Sequence, residues 1–263
     1  MTSTVSTDST YSILQRSQRL RVGGGEMTPV LPGAISQRTL VLMWPQLGDF
    51  DSLEYAWWIR RERDRLSEMD IDVRAVGIGD SQSGEVFCEF TGFPTDRLWM
   101  DATGELHREL ELYEGLTTNW PVLSSSQQAW VNLMLMCAGI ASPGTLAEVF
   151  RGYRGDRKAP QLIDDDETIE TNFLPPLKGK FFGAAGGSGF QRPFELATVR
   201  LKNMVEVLSK WGQYVPDASY MTQRGGTFLF ETDGQPIYEY RDRGILGFAE
   251  NMANPLEFLE NVS

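Results

Sequence analysis

The sequence predicts an α/β fold, a mixed sheet with helices on both faces. Three observations carry this expectation. Thr39-Leu40-Val41-Leu42-Met43-Trp44 is a continuous apolar run that stops at Pro45. Such a run reads as a central strand buried on both faces. A second strand, Ile71 to Ile78, follows after one helix-length of chain. That spacing favours a parallel pair joined by a crossover helix. Near the C-terminus, Thr227 to Thr232, then Asp233-Gly234, then Gln235 to Tyr240 reads as strand, two-residue turn, strand. Asp-Gly supplies the positive φ that tight hairpins demand.

The elements follow in order. Residues 1–37 form an N-terminal extension, Ser/Thr-rich at first and later broken by Gly23-Gly24-Gly25, Pro29 and Pro32. Residues 38–263 form the main domain. After the first strand and a short loop, a helix is expected from Ser52 to Met69, capped at Asp51 three residues before Glu54. Short helices are expected over Gly84 to Thr91, Glu105 to Tyr113, Gln127 to Ala138 and Gly144 to Tyr153, with a strand over Arg97 to Met100. An insertion at about 155–215 then interrupts the pattern. It holds the acidic run Asp164 to Glu167, Pro175-Pro176 and a Gly-rich segment, Gly183 to Gly189. Residues 155–192 read as irregular, with Pro193 opening a helix whose apolar residues include Leu201, Leu208 and Trp211. A last helix is expected from Asn254 to Val262. A parallel half, inserted helices, an antiparallel hairpin and a final helix make the element order of a thioredoxin-like fold.

Composition removes several function classes. The chain has 24 Lys and Arg against 36 Asp and Glu, a net charge of −12. That argues against non-specific nucleic-acid binding, which needs a basic footprint, and against an anionic membrane surface as partner. Two cysteines, Cys88 and Cys137, make no disulfide scaffold and no zinc ribbon, and one histidine, His107, makes no His-rich metal site. The N-terminus has no apolar signal core. The longest apolar stretch, Ala129 to Ala141, contains Asn132 and is far short of the ~20 residues of a membrane helix. We expect a cytoplasmic protein with no cofactor, metal, nucleic-acid partner or membrane span.

Two stretches carry a family resemblance: Leu47-Gly48-Asp49-Phe50-Asp51-Ser52-Leu53-Glu54-Tyr55-Ala56 and Arg224-Gly225-Gly226-Thr227-Phe228. Over residues 39–115, and again from Arg224 onward, the chain resembles the peroxiredoxin-like branch of the AhpC/TSA antioxidant superfamily. In redox-active relatives the first stretch carries G-C-x-x-C-x-E-x-A, so the positions matching the two cysteines are Asp49 and Ser52. The resemblance thus implies a thioredoxin-like frame whose active cysteine pair is replaced. A thiolate is nucleophilic at neutral pH, and more so at a helix N-terminus. A serine hydroxyl is barely ionised there, needs an adjacent base, and has no sulfenic-to-disulfide cycle. Cys88 and Cys137 are the remaining redox candidates. Both lie in apolar segments, which favours small buried core residues.

The same resemblance brings Asp49, Phe50 and Ser52 near Arg224, Gly225, Gly226 and Thr227, a candidate binding cleft. The free N–H groups of the helix starting there attract anions, with Ser52, Thr227 and Arg224 as donors. The plainer alternative is that Asp51 or Ser52 caps the helix and Arg224 pairs with Asp49. Elsewhere, Gly183 to Gly189 lacks the Lys-Ser/Thr ending of a P-loop. Gly79-Asp80-Ser81 resembles a serine-hydrolase fragment, but His107 sits in a charged segment and reads as solvated. Asp164 to Glu167 lacks calcium-loop spacing and reads as a solvated turn. Trp58, or the Trp120 and Trp130 region, is a candidate exposed patch. The expected function is a non-catalytic protein-binding or assembly factor with a protein partner. The alternative is a thiol oxidoreductase acting through Cys88 or Cys137.

Overall fold

The computed structural model describes residues 9–118, 120–137, 161–170, 175–244, 248–252 and 254–262, with backbone only for 136–137 and 186–193. The central strand is β3 (Arg38–Gln46), buried along almost its whole length. It pairs in parallel with β4 (Ile71–Ile78) and antiparallel with β8 (Gly226–Phe230). Beyond β4 lies the parallel strand β5 (Leu98–Asp101), and beyond β8 the antiparallel strand β9 (Pro236–Arg241). The N-terminal stretch adds β1 (Gln18–Arg21), antiparallel to β5, and β2 (Met27–Pro29) outside it. The seven-stranded order is β2-β1-β5-β4-β3-β8-β9. Residues expected to form a mixed, broken lead-in therefore extend the sheet. A two-stranded ribbon, β6 (Thr168–Ile169) with β7 (Leu177–Lys178), lies apart.

Side chains of β3 alternate between two cores, as the period of a strand requires. Leu40, Leu42 and Trp44 join one core with residues of α2 (Phe50–Arg61), α4 (Ser81–Thr91) and α7 (Gly179–Ser209). Val41 and Met43 join the other with residues of α1 (Thr10–Arg16) and α5 (Glu105–Glu109). Helices on both faces of a mixed sheet give the thioredoxin-like architecture that the element order predicts. The hairpin is present, but its connection runs through Glu231 to Gln235, wider than the expected two-residue turn. Gly234 takes φ 83° within it.

Several local expectations are corrected. The first long helix begins at Phe50 and breaks at Glu62, with α3 (Arg63–Glu68) following. Its cap is Asp49, whose carboxylate accepts from the Asp51 N–H at 3.0 Å, not Asp51 or Ser52. Asp80 caps α4 in a reciprocal capping box with Ser83, which gives Gly79-Asp80-Ser81 a structural use. The largest correction is α7. Residues 179–209 form one helix, so Gly183 to Gly189 is no loop and Pro193 does not open the helix. The helix is fixed by buried Phe182, Val199 and Val207 and by two carboxylates. Glu195 accepts from Leu162 N–H at 2.9 Å, and Glu54 of α2 accepts from Arg200 at 2.9 Å. The C-terminal segment makes a 3₁₀ turn at Glu257–Asn261, not an α-helix. α6 (Ser125–Cys137) matches the third short helix closely. The expected helix at Gly144 to Tyr153 lies outside the described residues.

Candidate functional site: the amino end of α2

The loop after β3 delivers Asp49, Asp51 and Ser52 to the carboxyl edge of the sheet. β8 begins beside β3, because Met43 pairs with Gly226. Arg224 and Gly225 therefore arrive at the same edge. Gly225 allows the close approach: a Cβ there would stand 2.0 Å from the Met43 carbonyl oxygen. Gly226 opposes Arg241 across the hairpin, so Asp242 falls at the same end.

Arg224 is the centre of the site. It is 3% exposed. Its Nη1 donates to Asp49 at 2.7 Å, its Nη2 to Asp51 at 3.0 Å and its Nε to Asp242 at 2.8 Å. Burial works against the guanidinium charge, but Asp242, Asp49 and Asp51 outweigh it and raise its pKa. The carboxylates outnumber the cation. Burial pushes Asp49 up to about 6, opposed by Arg224 and reinforced by Asp51. Burial likewise pushes Asp242 up to about 7, against the pull of Arg224. The Asp242 carboxylate also accepts from Gly244 N–H at 2.9 Å.

The hydroxyls nearby are engaged. Ser52 is buried and donates to the Gln46 carbonyl at 3.4 Å. Thr227 and Tyr55 share a hydrogen bond at 3.1 Å, also buried. The space left between Ser52, Tyr55, Arg224, Gly225, Gly226 and Asp242 is about 10 Å³. That is about one water-sized probe, not a substrate. Phe50, on the first turn, is 36% exposed and does not line this space. The site thus joins Asp49, Ser52, Arg224, Gly225 and Gly226. Of the N–H groups at the start of α2, that of Asp51 already meets the Asp49 carboxylate.

Among the described residues no cysteine lines the site. Cys88 lies on α4, buried, its thiol pushed up to about 12 by burial and then by Asp96. Cys137 ends α6, and its side chain lies outside the described residues. His107 is not solvated, as its charged neighbours led us to expect, but fully buried. Its Nε2 lies 2.8 Å from the Trp44 carbonyl and must carry the proton. Burial lowers its pKa to about 4, against the Trp44 hydrogen bond and Asp101. It contributes nothing to the Ser52 hydroxyl. Trp58, a candidate for the exposed patch, is fully buried, whereas Trp120 and Trp130 are exposed. The acidic turn is not merely solvated: Asp164 and Glu167 pair with Arg61 and Arg60 at 3.4 and 3.3 Å. Among the described residues no group of three or more His, Cys, Asp or Glu side chains could hold a metal ion, and no helix is long and apolar enough to cross a membrane.

Sequence reasoning reached Arg224 and Asp49 but missed Asp242 and Asp51 as partners. The hairpin register was the available signal for Asp242, since pairing about Asp233-Gly234 sets it opposite the start of β8.

A family model described as AhpC/TSA antioxidant enzyme matches residues 58–244, more than half of the chain. The matched span takes in Arg224, Asp242 and both cysteines, and begins after the Asp49–Ser52 stretch. No curated protein and no solved structure matches the chain. On the extent of the family match, the chain belongs to the AhpC/TSA antioxidant family.

Proposed function

We propose that this chain keeps the frame of an AhpC/TSA antioxidant protein without its peroxidase chemistry, and serves as a protein-binding or assembly factor in a reducing cytoplasm. The observation that carries the reading is the closed cluster at the amino end of α2. Where the resemblance puts the two redox cysteines, Asp49 is locked to Arg224 at 2.7 Å and Ser52 is buried against a backbone carbonyl. Neither side chain can attack a peroxide and be recycled, because oxygen has no counterpart of the sulfenic acid step. Cys88, with its thiol near 12, is a thiol and not a thiolate at neutral pH. Exposed Trp120, Trp130, Met134 and Val122 support a role in meeting a protein partner.

Hydrogen peroxide consumption with dithiothreitol as reductant tests this reading. Consumption should not exceed the reductant blank, and should be the same for the chain with Cys88→Ser and Cys137→Ser. Sustained turnover lost in either variant would overturn it. Affinity capture from native cell extract should then recover the same partner with the cysteine-free chain as with the unaltered one.

A further inference from the structure

At its far end α2 borders a second, larger concavity. About 360 Å³ of space lies between α2, α3, the start of β4 and the segment after α4. That is the size of a small-molecule site. α2 rises ~1.5 Å per residue, so Arg60 stands ~15 Å from Phe50 and the Arg224 cluster. The floor is apolar, with Ile59, Leu66 and Phe93, all buried. The rim carries three arginines, Arg60, Arg63 and Arg97, and two aspartates, Asp70 and Asp72.

The charges at this rim are unequal in their freedom. Asp72 is held by Arg74 at 2.8 Å and by Arg97 as well. Asp70 accepts from Gln37. Arg60 pairs with Glu167 at 3.3 Å and lies over Trp57. Arg63 is exposed and has no ion pair among the described residues. An apolar floor beneath an uncompensated guanidinium matches a ligand with an apolar body and one negative head. We infer that this groove is a binding site for a small amphiphilic organic anion, with its apolar body on Ile59, Leu66 and Phe93 and its carboxylate or sulfonate on Arg63. This inference is independent of the Arg224 cluster and of the chemistry proposed there.

The test pairs two fluorescent probes of nearly the same body, 1-anilinonaphthalene-8-sulfonate and the uncharged N-phenyl-1-naphthylamine, each titrated into the full chain. With Arg63→Glu the sulfonate should lose tenfold or more in affinity while the neutral probe changes less than twofold. Arg63 is exposed and has no ion-pair partner among the described residues, so the variant should fold, and an unchanged circular dichroism spectrum confirms that. Ser67→Trp, which fills the groove from its rim, should weaken both probes tenfold or more. Unchanged sulfonate affinity in Arg63→Glu, equal loss of both probes there, or full binding of both in Ser67→Trp overturns the assignment.

Discussion

The Nε of Arg224 lies 2.8 Å from the carboxylate of Asp242, and both side chains are almost sealed from solvent. Asp49 and Asp51 take the two remaining nitrogens. One cation thereby ties the N-terminus of a helix to the end of a hairpin. Replacing it leaves carboxylates without a counter-charge in a dry site. Arg224→Ala should lower unfolding free energy by ~3–5 kcal/mol, measured by urea denaturation. A loss within experimental error would mean that the cluster opens to water.

The pH dependence of stability follows from the same cluster. Asp49 and Asp242 titrate at about 6 and about 7 in the folded chain, above the ordinary 3.8. The folded state therefore binds protons more tightly than the unfolded one. Their stabilisation is complete below about pH 4 and is lost as pH rises through 6 to 7. Thermal unfolding at pH 5.5 and 8 should show the unaltered chain gaining more stability at the lower pH than Asp242→Asn does. An identical difference in the two would contradict the buried titration.

His107 is the single histidine, so its Cε1 proton resonance needs no assignment by mutation. Burial holds it neutral to about pH 4. The sign is opposite to that of the aspartates: its contribution is lost as pH falls from 6.5 towards 4. An NMR titration should show no shift between pH 8 and 5.5. A midpoint near 6.5 would place the imidazole in solvent.

Cys88 should be inert while the chain is folded. In a Cys137→Ser background, 5,5′-dithiobis(2-nitrobenzoate) should label it at the rate of unfolding, and at once in denaturant. Fast labelling of the native chain would show an accessible thiolate.

Gly225→Ala should separate β8 from β3, since its methyl would lie 2.0 Å from the Met43 carbonyl oxygen. We expect a loss of ~1–3 kcal/mol, as for other forced overpacking, measured by denaturant unfolding. A neutral effect would mean that the strands slide apart without cost.

How much of this was readable in the chain depends on how far apart the cause and effect lie. β3 was legible because a strand buried on both faces writes its burial as an unbroken apolar run. The hairpin was legible because Asp233-Gly234 is a local backbone demand. α7 was not. Glycines cost a helix ~1 kcal/mol each relative to alanine, and only tertiary anchors such as Glu195 on Leu162 and Ile163 explain why it persists. His107 sits between Glu105 and Glu109, which looks like solvent, yet a short turn carries the ring under Trp44. At the site, Arg224 and Asp49 were reached only through a family likeness. Their 175-residue separation leaves no periodic trace.

The two N-terminal strands have a consequence for how the sheet meets other chains. β1 covers the hydrogen-bonding edge of β5, and the outermost strand on that side becomes β2, three residues long and ending in Pro29. A short strand closed by an imide nitrogen is a poor template for a foreign β-segment. Removing residues 10–29 would bare β5, turning a guarded rim into one that invites aggregation.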